Sequence, residues 1–419
     1  MLNLFQLVLQ IAVILVAARV VGFLFQKINQ PQVMGEMVAG ILLGPSLLGW
    51  LAPGISAALF PPASLTYLNA LSQVGLVVFM FVVGLALDPT ELRGYGHAAV
   101  LTSHVSIAAP FCLGGMTALY LYPRLSDDGV TFTGFALFMG SAMSITAFPV
   151  LARILSERGL VRSRMGTMAI ACAAVDDVTG WCILAYIVVL VRVTHSGRPA
   201  SVTIGGSLLY VALMLFGVRR ILPAFERAFR KRDQLSDNLV AVIVVLVLAS
   251  ALATEWLGIH LLFGAFLMGA IMPKAPAFSR YLLHKFESVT VVLLLPLFFA
   301  FTGLRTRIGV GGGSIWLYAA IVIVVAITGK LGGSMLAARL AGMPWRESAS
   351  LGILMNTRGL MELVILNIGL DIGVISPAMF SIMVLMALVT TFMTTPLLEW
   401  VYPTRLFKAQ LDEVHQNVA

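Results

Sequence analysis

Long runs of apolar residues constrain the fold of this chain more than any other feature of its sequence. Residues 65–87, for example, contain no charged side chain, and ~20 largely apolar residues are enough for a helix to cross a bilayer. The runs do not alternate apolar and polar positions, which excludes an outer-membrane β-barrel. Only 11% of the 419 residues are charged and 59% are hydrophobic, whereas about 25% of the residues in a soluble domain are charged. The sequence therefore predicts an all-α polytopic membrane protein and excludes a soluble enzyme.

Polar positions, prolines and glycines divide the apolar runs into about 13 predicted transmembrane helices. The eighth and ninth spans meet at Gly258, which makes their boundary the least distinct. The predicted spans cover residues 5–25, 33–50, 65–87, 97–121, 131–156, 165–191, 203–222, 238–257, 259–273, 286–306, 315–339, 347–370 and 375–400.

The positions of lysine and arginine predict the orientation of the chain. Cytoplasmic loops carry an excess of these residues. With the N-terminus outside, 18 of the 27 basic residues fall in cytoplasmic segments and five fall outside. We therefore predict a multi-pass protein of the cell (inner) membrane, with its N-terminus outside and its C-terminus in the cytoplasm. The net charge of +8 is interpreted as this topology signal and not as a nucleic-acid-binding surface.

Two predicted spans, the fifth and the twelfth, contain residues that interrupt a helix in mid-membrane. The fifth contains GSAMSITAFPV, with Pro149, and the twelfth contains LMNTRGLMELV, with Gly359. Proline removes a backbone donor and glycine loosens a helix, and unwound backbone at this depth is tolerated only where it lines a cavity. The twelfth span follows the fifth by seven positions, an odd number, so the two run in opposite directions. This pattern predicts inverted repeats with two broken crossing helices and an ion site between them; two ordinary kinks are the alternative.

Five charged residues stand near the middle of predicted spans, where each costs ~2.5–3.5 kcal/mol to insert. Asp176 and Asp177 lie in the sixth span, Lys330 in the eleventh, and Arg358 and Glu362 in the twelfth. Adjacent helical residues point about 100° apart, so the two aspartates cannot serve the same partner. One can neutralise Lys330 while the other faces a hydrated cavity and binds a cation or a proton. The trio then carries one net negative charge, which suits one monovalent cation; a purely structural charge cluster is the alternative.

Three other classes of membrane protein fit these residues less well. An intramembrane aspartyl protease needs its aspartates on two facing helices, whereas Asp176 and Asp177 are adjacent on one, and the sequence contains no GxGD motif. A sodium-coupled organic-solute symporter of related fold would not need two aspartates and a lysine. A passive cation channel would not couple the cation to a pH gradient.

Seven segments that follow one another over nearly the whole chain resemble those of a known family. The segments are QPQVMGEMVAGILLGPSLLG, LVVFMFVVGLALDP, SITAFPVLARIL, AAVDDVTGW, GIHLLFGAFLMGAIMP, LPLFFAFTGLRT and MNTRGLMELVILNIG. They resemble the monovalent cation:proton antiporter-2 family of the sodium/proton exchanger superfamily, most closely its branch related to plant cation/H⁺ exchangers. The resemblance implies a sodium/proton antiporter fold, a homodimer and a six-helix core that moves like an elevator.

The resemblance also implies roles for individual residues of the sixth and eleventh spans. Asp177 stands at the position of the family's cation- and proton-binding aspartate. Asp176 stands at the preceding position, which is Asp in electrogenic relatives and Asn or Gln in others. Lys330 matches the basic residue that pairs with that first aspartate.

The other candidate site residues lie in the two broken spans. By the same resemblance, Ser144 and Thr146 fall near the ion in the first crossing segment. Arg358 falls in the second crossing segment, where its charge offsets the ends of half-helices, and Glu362 lies one turn further on as a second charge-compensating residue.

The predicted domain organisation follows from the same resemblance. Helices 1–3 and 8–10 are assigned mainly to dimerisation, and helices 4–6 and 11–13 to the transport core. The boundaries are residues 1–96 (helices 1–3), 97–191 (helices 4–6), 192–237 (helix 7 and a basic cytoplasmic loop), 238–314 (helices 8–10), 315–403 (helices 11–13) and 404–419 (a short cytoplasmic tail).

The functional prediction is secondary active exchange of Na⁺ or K⁺ for H⁺, without a cofactor. Asp177 binds either a proton or a cation, never both. The charge of the Asp176–Lys330 pair can change when a cation binds at Asp177, so exchange is predicted to be electrogenic. The expected partners are the ions, the bilayer and a second copy of the chain, without nucleic acid. The tail after Pro403 has 16 residues, so we expect no nucleotide-binding regulatory domain.

Overall fold

The computed structural model describes residues 4–86, 97–158, 160, 163–196, 200–230, 234–258, 260–308 and 313–403. The regular structure in these residues is helical, which confirms the predicted all-α class. Among these residues, eleven helical stretches are long and apolar enough to cross a membrane, and two shorter apolar helices, Phe132–Ser144 and Leu261–Ile271, lie within the fifth and ninth predicted spans. That the chain makes 13 crossings stays a prediction.

The helices are numbered here in chain order. The first nine are α1 (Leu4–Lys27), α2 (Gln32–Leu43), α3 (Leu48–Leu51), α4 (Pro53–Leu59), α5 (Pro62–Ala86), α6 (His97–Leu125), α7 (Phe132–Ser144), α8 (Phe148–Glu157) and α9 (Arg164–Ser196). The next six are α10 (Ala200–Ala212), α11 (Arg219–Ile221), α12 (Pro223–Arg230), α13 (Asp237–Trp256), α14 (Leu261–Ile271) and α15 (Pro276–Val289). The last six are α16 (Leu295–Arg305), α17 (Gly313–Ile327), α18 (Gly333–Leu340), α19 (Trp345–Met355), α20 (Leu360–Asp371) and α21 (Pro377–Val401).

Three wider π-helical turns interrupt otherwise continuous spans. They are Leu213–Val218 between α10 and α11, Thr290–Leu294 between α15 and α16, and Thr328–Gly332 between α17 and α18. Single π-helical turns occur frequently at functional sites. The third one contains Lys330, so the eleventh predicted span is not the regular helix that its apolar pattern indicates.

Proline and glycine set two of the helix ends. The second predicted span, 33–50, is interrupted, because α2 ends at Leu43 and the next residues are Gly44 and Pro45. A proline disfavours helical backbone at the residue before it. Between α13 and α14 the backbone of Gly258 has φ 87°, a left-handed conformation that glycine adopts without a Cβ penalty. The boundary predicted at Gly258 is therefore confirmed.

The chain divides into two compact units. The first comprises the described residues of Met1–Ala17, Ala52–Thr90 and Ala185–Phe301. Within it α5 packs closely on α14, because a Cβ on Gly269 would collide with the carbonyl oxygen of Phe81. Lys274 donates to the carbonyl oxygens of Gly84 at 2.9 Å and Leu85 at 2.8 Å, so its charge offsets the negative C-terminal end of α5.

The second unit comprises the described residues of Ala18–Leu51, Glu91–Leu184 and Thr302–Ala419. It contains the fifth and twelfth predicted spans, which carry the helix-breaking residues, and all the predicted site residues. In its span Trp345–Asp371, 94% of the residues in an 18-residue apolar stretch are buried. Burial of this kind is required for unwound backbone at membrane depth. Residues 18–51, grouped by sequence with 1–96, belong to this unit. Which residues dimerise and which transport stays a prediction.

Candidate functional site

Two short unwound segments lie side by side in the second unit. Residues 145–147 separate α7 from α8, and residues 356–359 separate α19 from α20. The backbone N–H of Ala147 donates to the Thr357 carbonyl at 2.9 Å. The Thr146 hydroxyl lies 2.8 Å from the Met355 carbonyl oxygen, to which it can donate. Both spans predicted to be broken are therefore broken, and their unwound segments are hydrogen-bonded to each other.

The local sequence explains why the chain unwinds at these two places. Pro149 is the second residue of α8, a position where the missing N–H has no intrahelical acceptor to lose. Gly359 permits the close approach of the segments, because a Cβ there would lie 2.9 Å from Val150 Cγ2 and 3.0 Å from Ala147 Cβ. A larger residue at 359 would push the two segments apart.

Asp176 is fully enclosed and surrounded by donors. Its side chain has 0% exposure, and its carboxylate lies 2.6 Å from Ser103 Oγ, 3.0 Å from Ser106 Oγ, 2.9 Å from Thr146 Oγ1 and 2.6 Å from Lys330 Nζ. Hydrogen bonds to the charged form favour that form. The pairing of Asp176 with Lys330, expected from the resemblance, is present in the structure.

Ser103 and Ser106 are site residues that the sequence analysis missed. Both lie on α6, three positions apart, and residues at this spacing share a helix face. Serine is common in transmembrane helices as a helix–helix contact, so neither residue stands out alone. The available signal was the S-x-x-S pair in a predicted span without a central charge.

Lys330 joins three parts of the site. Its Nζ donates to Asp176, to the Ser144 carbonyl at the end of α7 and, at 3.2 Å, to Ser106 Oγ. The π-helical turn Thr328–Gly332 presents this side chain, which has 0% exposure. A buried ammonium with three oxygen acceptors meets the requirement that an intramembrane charge be paired.

Asp177 has a different environment from its neighbour. It is buried, with 6% exposure, and its carboxyl group lies near the backbone N–H of Phe148, the first residue of α8. The N-terminus of a helix carries about half a positive charge and stabilises an anion. Its Oδ1 atom has no hydrogen-bond partner among the described residues. This oxygen is available to a proton or a cation.

The guanidinium of Arg358 closes the C-terminal end of α7. It donates to the carbonyl oxygens of Ala142 at 3.0 Å, Met143 at 2.6 Å and Ile145 at 3.0 Å. These carbonyls carry the negative end of the half-helix dipole. The Arg358 guanidinium therefore lies against the negative end of α7, and its charge-compensating role in transport stays a prediction.

Glu362 and Ser144 take more specific places than the sequence indicated. Glu362 Oε2 lies 3.8 Å from Arg358 Nε, and in the described part of the chain neither of its carboxylate oxygens is hydrogen-bonded. The Ser144 hydroxyl donates to the Gly140 carbonyl at 2.6 Å. It is the backbone carbonyl of Ser144, and not its hydroxyl, that contacts the charged cluster.

Comparison with known proteins was made by sequence and by structure. A family model described as sodium/hydrogen exchanger, transmembrane, matches residues 12–400. The Na⁺/H⁺ antiporter NhaS4 of Synechocystis is 44% identical over 395 residues, which cover 94% of this chain and 96% of that protein. Cation/H⁺ antiporter 17 of Arabidopsis thaliana is 41% identical over 397 residues. The match covers 94% of this chain, which spans only 48% of the plant protein.

The fold resembles that of a solved transporter. The sodium proton antiporter MjNhaP1 of Methanocaldococcus jannaschii aligns with a TM-score of 0.68 and 14% identity, covering 97% of this chain and 98% of that one. At this identity the likeness concerns the fold alone, and it confirms the predicted sodium/proton antiporter architecture.

Proposed function

Since the chain belongs to the sodium/hydrogen exchanger family, we propose that it is a secondary antiporter that exchanges Na⁺ or K⁺ for H⁺ across a cell membrane. The observation that carries this proposal is the contrast between two adjacent buried aspartates. Asp176 is saturated with donors, whereas Asp177 keeps one carboxylate oxygen without a partner among the described residues. One aspartate is held in place and the other can exchange its ligand.

Coupling follows from competition at Asp177. A proton and a monovalent cation cannot both occupy one carboxylate oxygen, so loading one ion releases the other. The N-terminal end of α8 stabilises the empty carboxylate between the two loaded forms. Uncoupled leak is small because the site, at 6% exposure for Asp177, contacts water only when it opens to one side.

The movement that we propose is an elevator-type alternating access within a homodimer. The contacts that support it are the hydrogen bonds that tie the site together: Ala147 to Thr357, Lys330 to Asp176, and Arg358 to the end of α7. Helices joined in this way move as one body and carry Asp177 with them. The N-terminus lies outside and the C-terminus in the cytoplasm in this proposal, as the basic residues predict.

Exchange is electrogenic in this scheme, with two protons per cation. A cation on Asp177 makes the local field more positive, and Lys330 then releases its proton to the open side. The second proton comes from Asp177 itself, so one net charge moves in each cycle. At 100 mV that charge is worth ~2.3 kcal/mol.

The test is cation-driven proton movement in proteoliposomes that contain the purified chain and a pH-sensitive dye. Adding Na⁺ or K⁺ to liposomes with a preset pH gradient should dissipate the gradient with the wild type and leave it intact with Asp177→Asn. Neutral Asn costs less to bury than Asp, so the variant should still fold. Cation-dependent proton movement by Asp177→Asn would overturn the assignment of the site.

A further inference from the structure

Asn356 is a buried polar residue to which the exchange scheme above gives no role. It occupies the first position of the unwound segment 356–359, immediately after α19, and has 1% exposure. Neither its Oδ1 nor its Nδ2 atom has a hydrogen-bond partner in the described part of the chain. A buried amide without partners costs free energy, so its presence needs an explanation.

Local structure does not supply that explanation. Asparagine is favoured at helix ends when the backbone adopts the left-handed conformation, but Asn356 has φ −79° and ψ 3°. Its side chain does not act as a cap within the described residues, since the bonds that close α19 come from its backbone N–H to Gly352 and Ile353. Any residue could adopt this conformation.

The two chain neighbours of Asn356 place its backbone beside the first unwound segment. The carbonyl oxygen of Met355 lies 2.8 Å from the Thr146 hydroxyl oxygen, and the carbonyl of Thr357 accepts from Ala147 N–H. The backbone of Asn356 therefore lies beside the stretch that leads into Phe148, whose N–H is near the Asp177 carboxyl group.

The C-terminal end of a half-helix is also where a cation is stabilised. The last carbonyls of a helix carry about half a negative charge, and unwound carbonyls at such ends coordinate ions in transporters. The corresponding end of α7 already holds a cation, the guanidinium of Arg358. The end of α19 is the second negative pole of the crossing, and Asn356 is the residue that directly follows it.

We propose that Asn356 is a specificity-determining ligand, whose amide oxygen binds the transported cation together with Asp177 Oδ1. The same oxygen accepts a hydrogen bond from Asp177 when that group is protonated, so one acceptor serves both loaded forms. A neutral oxygen beside one carboxylate favours a monovalent cation, since no second negative charge is added. This inference rests on the proposed exchange function.

The test measures exchange by Asn356→Ala in proteoliposomes, with Na⁺, K⁺ and Li⁺ supplied one at a time. Loss of one ligand to a charged ion should raise the KM for at least one cation by about tenfold. The ratio of the KM values for Na⁺ and K⁺ should change, because ligands of fixed geometry discriminate between ions of different size. Unchanged KM values for all three cations would overturn the proposal.

A second measurement, the unfolding temperature with and without cation, distinguishes a ligand from a structural residue. Asn367, on the same span with 3% exposure, is fully engaged: its Nδ2 donates to Thr302 and its Oδ1 accepts from Arg305. Asn367→Ala should therefore lower the unfolding temperature and leave the KM values unchanged. Without cation, Asn356→Ala should unfold at or above the wild-type temperature, because an unpartnered buried amide is removed. It should lose the stabilisation that added cation gives the wild type. Wild-type stabilisation by cation in Asn356→Ala would contradict the proposal.

Asn356→Ser covers the case in which the alanine variant does not fold. Serine retains one oxygen on a shorter side chain, so its KM should lie above that of the wild type, and an unchanged value contradicts the proposal. The wild type and Asp177→Asn are measured alongside. If the wild type does not exchange cations for protons, the proposed function has failed. If the wild type exchanges, Asp177→Asn does not, and the Asn356 variants have wild-type KM values, only the present inference has failed.

Discussion

The surroundings of Asp176 and of Asp177 differ more than one residue of separation on a helix would suggest. Asp176 lies within hydrogen-bonding distance of two serines of α6, of Thr146 and of Lys330. Asp177 has the N-terminal end of α8 nearby and an oxygen without a partner among the residues described. A turn of about 100° separates a locked carboxylate from an exchangeable one. Two carboxylates can thus take two roles that are set by their environments alone.

The largest effect should come from removing one partner of the locked pair. Lys330→Met leaves the Asp176 charge buried and unpaired, which should cost about 3–5 kcal/mol of stability. Thermal unfolding of the purified protein in detergent measures this loss. Asp177→Asn is the matched control, since its environment contains no ion pair with Lys330 to break, and it should unfold near the wild-type temperature. Equal losses in the two variants would remove the distinction between the aspartates.

Removing both partners should recover most of that loss. Replacing a buried ion pair by neutral residues of similar size is often close to neutral, so Asp176→Asn combined with Lys330→Met should be more stable than Lys330→Met alone.

The double variant should still exchange cations for protons, but at a rate that no longer responds to membrane potential. Currents measured on supported membranes test this, with valinomycin setting the potential where K⁺ is not the substrate. A wild-type rate indifferent to potential would contradict the electrogenic scheme and leave the antiporter assignment intact.

A smaller effect is expected at the serines of α6. Ser103→Ala removes a 2.6 Å hydrogen bond to the Asp176 carboxylate and should cost about 1.5–3 kcal/mol, the range for hydrogen bonds to charged groups. Thr102 offers a control on the same helix, because its buried hydroxyl has no partner within the described ranges. Thr102→Val should leave the unfolding temperature unchanged or raise it. A greater loss at Thr102 than at Ser103 would mean that the donors of Asp176 are incidental.

The smallest effect should come from an ion pair outside this cluster. Arg158 lies 2.6 Å from Glu399, whose side chain is 51% exposed. Exposed pairs contribute about 0–1 kcal/mol, so Glu399→Gln should change the unfolding free energy by no more than that. Its effect sets the scale against which the loss in Lys330→Met is judged, and a comparable loss would show that burial does not distinguish the two pairs.

Much of this arrangement could be read from the sequence, because the penalties for placing polar groups in a membrane leave few choices. Charges in apolar runs must be paired or functional, which singled out Asp176, Asp177 and Lys330. Proline and glycine in mid-span predicted both unwound segments, and Gly258 marked a helix end. The length of the apolar runs and their lack of alternation predicted the helical class directly.

The features that the sequence did not reveal depend on tertiary contact. Ser103 and Ser106 are ordinary transmembrane serines until α6 is placed against Asp176. The π-helical turn around Lys330 has no sequence signature in TGKLG, and the apolar pattern on either side predicts a regular helix. Ser144 contacts Lys330 through its backbone carbonyl and not through its hydroxyl. The carbonyl is available because α7 ends at this residue, and residue type alone does not show this. Residue type does not distinguish Asn356 from the rest of its helix-breaking segment, since the lack of partners for its amide among the described residues can be seen only in the folded chain.

The division of roles between the two aspartates is tested most directly by infrared difference spectroscopy of the reconstituted protein when Na⁺ or K⁺ is added at constant pH. If the cation displaces a proton from Asp177, the wild type should lose the absorption of a protonated carboxyl group on cation binding. That band should be missing from the difference spectrum of Asp177→Asn and present in that of Asp176→Asn with Lys330→Met. A band that persists in the difference spectrum of Asp177→Asn would contradict these roles. So would a band that is absent only from the difference spectrum of Asp176→Asn with Lys330→Met.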